Sequence, residues 1–175
     1  MFFVEILSIA TLLVVVLLSL FFKHFNRDPE REIPAGPCIV SPADGKILDI
    51  VELDSNEPID LAKGLVGRVK GLTNDLSPEP HYLIPIFMDP FNVHVQRIPL
   101  SGRVLKVERR SGKFVMANSL QALENATVET LLDTTLGRIK VLQTAGILVR
   151  HIHNHLQPGQ EVTKGERLGM IDFGS

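Results

Sequence analysis

Between Phe2 and Phe22 the chain reads FFVEILSIATLLVVVLLSLFF, and the stretch Ile6–Phe22 carries no charge at all. As a helix, the uncharged stretch spans about 26 Å and the run from Phe2 about 31 Å, close to the thickness of a bilayer's hydrocarbon core. Apolarity on every side favours lipid over a protein core as the surroundings of such a helix. A cleaved signal peptide is disfavoured, because no Lys or Arg precedes the run and no small-x-small cleavage site follows it. Lys23, Arg27 and Arg31 lie directly after it, so the bias of basic residues toward the inner side predicts a main domain facing the cytoplasm. Asp28, Glu30 and Glu32 carry little weight in that rule. Residues 1–24 are therefore expected to be a transmembrane anchor at the cell membrane.

The remainder is the size of one domain, large enough to bury a core without staples. Residues 25–37, with Pro29, Pro34, Gly36 and Pro37, read as an extended linker. Residues 38–175 read as one β-rich domain. Short β-branched runs alternate there with turn residues: Lys46–Val51, Tyr82–Phe87, Val93–Arg97, Arg103–Val107, Thr127–Asp133 and Gly137–Gln143. Only Ala117–Asn125 has helical character. The expected class is mainly β, a barrel- or sandwich-like domain behind one N-terminal transmembrane helix. The 18 basic residues all follow the apolar run, as do all the acids except Glu5. The domain is thus nearly neutral, which is not the electrostatic footprint of a nucleic-acid binder. The single cysteine, Cys38, excludes an intrachain disulfide and suits a reducing compartment.

Three places suggest chemistry. Asp44, in SPADG, sets a carboxylate on a turn. His94, in FMDPFNVHVQRIP, falls mid-run between two valines, sharing a face with Asn92 and Gln96; a histidine held on a strand is a positioned acid–base group. Gly174–Ser175, in FGS, sets a hydroxyl beside a glycine carbonyl. Each alone is an ordinary feature. A separate cluster, RHIHNHL, alternates His151, His153 and His155, which on a strand would share one face and suit zinc. The stretch PGQEVTKGERLGMID reads as Gly turn, strand, Lys-Gly turn, strand. It is similar to the hammerhead units of biotinyl, lipoyl and phosphocarrier domains, a hybrid-motif likeness at the level of fold only.

Taken in order, SPADGKI, FMDPFNVHVQRIPLSG, TAGILVRHI and PGQEVTKGERLGMIDFGS resemble the phosphatidylserine decarboxylase family, in particular its short bacterial and archaeal branch. The likeness covers nearly the whole chain from Phe25 onward. It implies a proenzyme that cuts itself at Gly174–Ser175. Ser175 Oγ would attack the Gly174 carbonyl to give an ester. β-Elimination would then release the upstream chain and leave dehydroalanine, which hydrolyses to a pyruvoyl group. The implied catalytic set is Ser175, His94 as activating base and Asp44 orienting it, in the logic of a Ser-His-Asp triad. The implied cofactor is the self-derived pyruvoyl group, an electron sink for decarboxylation of a membrane phospholipid of the phosphatidylserine or archaetidylserine type. A small C-terminal subunit is the expected partner after cleavage, no metal is expected, and a homo-oligomer is compatible with the sequence. Arg97 and Arg150 are candidates to hold the lipid phosphate.

The chain departs from the family pattern in three respects. Arg97 stands where some members have a second histidine. Ala126 and Thr127 follow Glu124–Asn125 where Glu-Arg is usual. The sequence ends at Ser175, so the strands expected to carry the pyruvoyl group are missing from it. The alternatives are an inactive or truncated homologue, a zinc hydrolase built on His151, His153 and His155, and a non-catalytic hybrid-motif module. The last lacks a lysine in a Met-Lys-Met-like hairpin tip.

Overall fold

The apolar run forms a single helix, α1 (Phe2–Phe25), of 24 residues. Its three hydroxyl side chains bond back along the helix. Ser8, Thr11 and Ser19 hydroxyls donate to the carbonyls of Val4, Leu7 and Val15, each at 2.8 Å. A helix satisfied in this way demands nothing from its surroundings. Side chains 2–20 are all exposed, and the helix is long and apolar enough to cross a membrane. Only at the far end does it meet the domain: Phe21 is half-buried and Phe25 wholly buried. The computed structural model describes residues 2–53, 76, 80–112, 125–147 and 149–173. The helical reading of Ala117–Asn125 falls, apart from Asn125, outside them, as does the Gly174–Ser175 bond.

The rest of the described chain is mostly strand: β1 (Lys46–Ile47), β2 (Val51–Leu53), β3 (His81–Leu83), β4 (Ile86–Phe87), β5 (Val95–Arg97), β6 (Gly102–Arg110), β7 (Thr127–Thr134), β8 (Gly137–Thr144), β9 (Val149–Asn154), β10 (Glu161–Val162) and β11 (Arg167–Phe173). The expected run Tyr82–Phe87 divides into β3 and β4 around Pro85, which has no N–H for a ladder. Lys46–Val51 likewise divides between β1 and β2. The β6–β7–β8 meander lies where its β-branched runs put it, with β10 on its edge. A register shift between Val104 and Lys106 breaks the regularity of the β6–β7 pairing, and such irregularities bend and twist a sheet. A second sheet has the order β5–β11–β9, antiparallel throughout.

The faces of these two sheets carry the core. Ile98, Val104, Leu132, Val141, Leu156, Val162 and Leu168 form one buried cluster, and Val128, Ala145, Ile152 and Ile171 another. Val107 packs against both. A chain of buried amides joins the two sheets. The Gln143 side-chain amide donates to Gln96 Oε1 and to the His153 carbonyl, both at 3.0 Å. Asn154 donates to Gln143 Oε1 and Thr130 Oγ1, both at 2.9 Å. With these partners the buried polar groups avoid the desolvation cost of unpaired amides.

Residues 26–33 are not a free tether. Arg97, whose side chain is 13% exposed, donates to Asp28 at 2.9 Å and to the Pro29 carbonyl at 3.0 Å. Arg167 pairs with Asp28 and with Glu30. Arg31 pairs with Asp44 at 2.7 Å. Ile33 sits against Gly165, whose φ of +83° suits glycine and where a Cβ would run into the Ile33 side chain. The segment after the helix is therefore strapped along the domain.

Candidate active site at the foot of the helix

Asp89, Pro90, Phe91 and Asn92 form a turn before β5. Asp89 Oδ1 accepts from Phe91 N–H at 2.7 Å, and Asn92 Oδ1 accepts from Asp89 N–H at 2.8 Å. Such Asx side chains fix a loop without help from a ladder. The turn delivers His94 just ahead of β5, where the His94 carbonyl accepts from Ile171 N–H of β11 at 3.2 Å. The face shared by His94 and Gln96 proves to be an interior one; both residues are 3% exposed.

The imidazole is closely held. Its Nδ1 lies 3.1 Å from the Asn92 carbonyl oxygen. A carbonyl can only accept, so Nδ1 carries the proton and Nε2 is left as the basic nitrogen. The Phe25 ring stacks on it with centroids 4.0 Å apart and planes 29° off parallel. Burial holds the His94 pKa below the ordinary 6.5, against the opposing pull of the Asn92 carbonyl and of Asp89 and Asp172. His94 is therefore neutral at pH 7, the state a general base requires. Phe25 also meets Phe173, the last described residue of β11, at 4.4 Å between centroids. The strand that leads to Gly174 thus ends one aromatic ring away from His94.

Two of the other site residues are differently engaged. Asp44 does not orient His94: its carboxylate binds Arg31, and the acids acting on His94 are Asp89 and Asp172. The SPADG turn still borders the site's strand, since the Pro42 carbonyl accepts from Arg97 N–H at 2.8 Å. Arg97 is no open phosphate ligand either, because its guanidinium is taken up by Asp28, the Pro29 carbonyl and the Gly165 carbonyl. Arg150 does border open space. With Arg109, Arg110, Ser111 and His151 it lines a cleft of about 390 Å³. The cleft lies where β9 pairs with the end of β11, Asp172 opposite His151 and Phe173 opposite Val149.

On β9 the first two of the alternating histidines are arranged as a stack. His151 and His153 stack face to face, 4.3 Å between centroids and 16° between planes, so their ring nitrogens do not converge on one point. His155 lies beyond the end of β9. Among the described residues no group of three or more His, Cys, Asp or Glu is placed to hold a metal ion.

Sequence reasoning missed Phe25, Asn92, Asp89 and Asp172. The Asp-Pro-Phe-Asn turn was a usable signal for the second and third. Nothing local marks Phe25, which closes an apolar run and looks like the rest of it.

Comparison with known proteins bears on the chain as a whole. The family model described as phosphatidylserine decarboxylase matches residues 18–175. A phosphatidylserine decarboxylase proenzyme from Chlorobaculum parvum is 43% identical over 95% of this chain and 70% of its own length. One from Chlorobaculum tepidum is 39% identical over 89% of this chain and 64% of its own. One from Solibacter usitatus is 36% identical over 91% and 67%. The chain thus spans about two thirds of the length of these relatives. With a family match over most of its length and relatives at this identity, the chain belongs to the phosphatidylserine decarboxylase family, whose members are carboxy-lyases made as proenzymes.

Proposed function

We propose that this protein decarboxylates a phosphatidylserine-type membrane lipid to the phosphatidylethanolamine type, after cutting itself between Gly174 and Ser175. The observation that carries this reading is the family match, which extends from residue 18 to residue 175 and so includes buried His94. The proposed cofactor is a pyruvoyl group derived from Ser175. It supplies an electron sink for the carbanion left when carbon dioxide departs. The residues present suit such a group: the strand leading to Ser175 ends beside the ring that covers a neutral, basic histidine.

His94 Nε2 takes the proton from Ser175 Oγ during self-cleavage and returns a proton to the substrate carbon after carbon dioxide is lost. The Asn92 carbonyl fixes the ring's tautomer, and Phe25 and Phe173 keep water from the imidazole. Arg150, with Arg109 and Arg110 on the same cleft, holds the lipid phosphate. Asp44 acts through the Arg31 pair that fixes the strap, rather than on His94.

Residues 1–24 anchor the protein in the cell membrane with the domain on the cytoplasmic side, as the basic residues after the helix favour. Residues 25–37 connect it to a barrel- or sandwich-like hybrid-motif domain, residues 38–175. After cleavage a small C-terminal subunit stays with it. Protein expressed from its whole gene and given phosphatidylserine in mixed micelles should release carbon dioxide, and phenylhydrazine, which captures ketones, should abolish the activity. Full activity after phenylhydrazine treatment would rule out the pyruvoyl chemistry.

A further inference from the structure

A short turn beside the helix presents an aromatic ring to solvent. Phe91, at the tip of the Asp89–Asn92 turn, is 67% exposed. An isolated exposed phenylalanine is unremarkable, but this one is built into the foot of α1. Its carbonyl accepts from Arg27 at 2.6 Å and lies 3.3 Å from His24 Nε2. Its ring meets Phe21 edge-on at 6.4 Å. Phe21 in turn packs on Phe22 and Phe173 at 5.6 and 5.9 Å. Helix end, turn tip and strand end thus form one aromatic cluster, apolar outward and tied inward by hydrogen bonds.

The length of α1 sets the level of that cluster. Twenty-four residues rise about 36 Å, several ångströms more than a hydrocarbon core of about 30 Å. The last turn, with Phe21, Phe22, Lys23 and His24, then falls in the headgroup region, where aromatic rings and basic side chains are favoured. Phe91 is held at that turn.

We infer that Phe91 is a second membrane contact, inserting beside the anchor into the interfacial layer of the bilayer and setting the His94 site at headgroup depth. The inference rests on the reading of α1 as a membrane anchor. The occupant is lipid rather than protein, because the exposed ring is continuous with a lipid-facing helix, its carbonyl is held by the cation Arg27, and Lys23 stands in the helix's last turn. Only two residues separate the inserted tip from His94, so a lipid headgroup reaches the site without leaving the membrane.

The sequence contains no tryptophan and one tyrosine, so a Phe91→Trp substitution gives these 175 residues a single indole, excited selectively over Tyr82. The full-length variant is reconstituted in phosphatidylglycerol–phosphatidylcholine vesicles, plain or with lipids brominated near the carbonyl end of the chains. A Leu12→Trp variant reports on the middle of the helix. Both variants should lose the greater part of their emission in brominated vesicles, and iodide in the water phase should quench neither strongly. If Leu12→Trp is quenched by brominated lipid while Phe91→Trp is quenched only by iodide, the second contact is overturned and the anchor stands. If neither responds to brominated lipid, the anchor reading fails and the inference with it.

Discussion

In the proposed chemistry the decisive atom is Nε2 of His94. Its availability comes from a single hydrogen bond at Nδ1 and its neutrality from burial. His94→Ala should leave the chain uncut, as read by gel mobility and intact mass. In the protein with His94 in place, processing should level off above pH 6.5 and fall as the pH drops through a midpoint lying below 6.5. The same depressed pKa links folding to pH. The unfolded chain binds the proton more readily, so the contribution to stability is complete above 6.5 and is lost as the pH falls through the folded value. His94→Gln should flatten that part of the stability–pH curve. A buried charge elsewhere makes a different residue-scale claim. Glu129 is 0% exposed and lies 3.2 Å from Lys140 and 3.1 Å from Arg110. Lys140→Met leaves Glu129 with Arg110 as its one cation among the described residues and should cost about 3 kcal/mol in urea unfolding, since a buried charge stripped of a partner is expensive. Changing Glu129→Leu as well should restore much of the loss.

At the scale of elements, β11 is the critical strand, since it pairs with β5 on one side and β9 on the other and leads to the proposed cleavage bond. Gly169 lets it lie close to β9: a Cβ there would strike the His153 carbonyl and crowd the Gln143 amide. Gly169→Ala should cost about 1–3 kcal/mol, the usual range for overpacking, seen as a lowered Tm. The strap gives an ordering. Asp28 ties Arg97 and Arg167 together, with Arg97 largely buried, whereas Arg31 and Asp44 are each about two-fifths exposed. Asp28→Ala should therefore lower Tm more than Arg31→Ala, because exposed pairs contribute little.

Elements of this kind differ in how far the sequence discloses them. The β7–β8 hairpin was legible to within one residue at its ends, since its β-branched runs and the Gly137 turn are local signals. The Gly and Lys-Gly turns around β10 were legible for the same reason. The splitting of Tyr82–Phe87 could have been read from Pro85. The strap could not, because Asp28 meets Arg167 across 139 positions and no local pattern records such a pair. The same holds for the stack of Phe25 on His94, and for the choice of Asp89 and Asp172 over Asp44 as the acids acting on that histidine. His94 itself was legible as a candidate, but its burial was not, since a His-Val-Gln alternation equally describes a solvated face.

On the scale of the whole molecule, one arrangement joins the anchor to the chemistry. The helix does not hang from the domain by a loose tether; its last aromatic side chain covers the candidate base, and the strap behind it is fixed by ion pairs. On the proposed reading, membrane attachment and site geometry are the same structural feature, which suits a substrate whose reactive group lies at the bilayer surface. The central claim is that the family's self-cleavage takes place at Gly174–Ser175. Intact mass spectrometry of the wild type and of Ser175→Ala, each expressed from the whole gene, tests it most directly. The account predicts that the wild type resolves into two chains, the larger ending at Gly174 and the smaller beginning with a blocked, ketone-bearing residue, while Ser175→Ala stays as one chain. Processing of Ser175→Ala at the wild-type rate would contradict it.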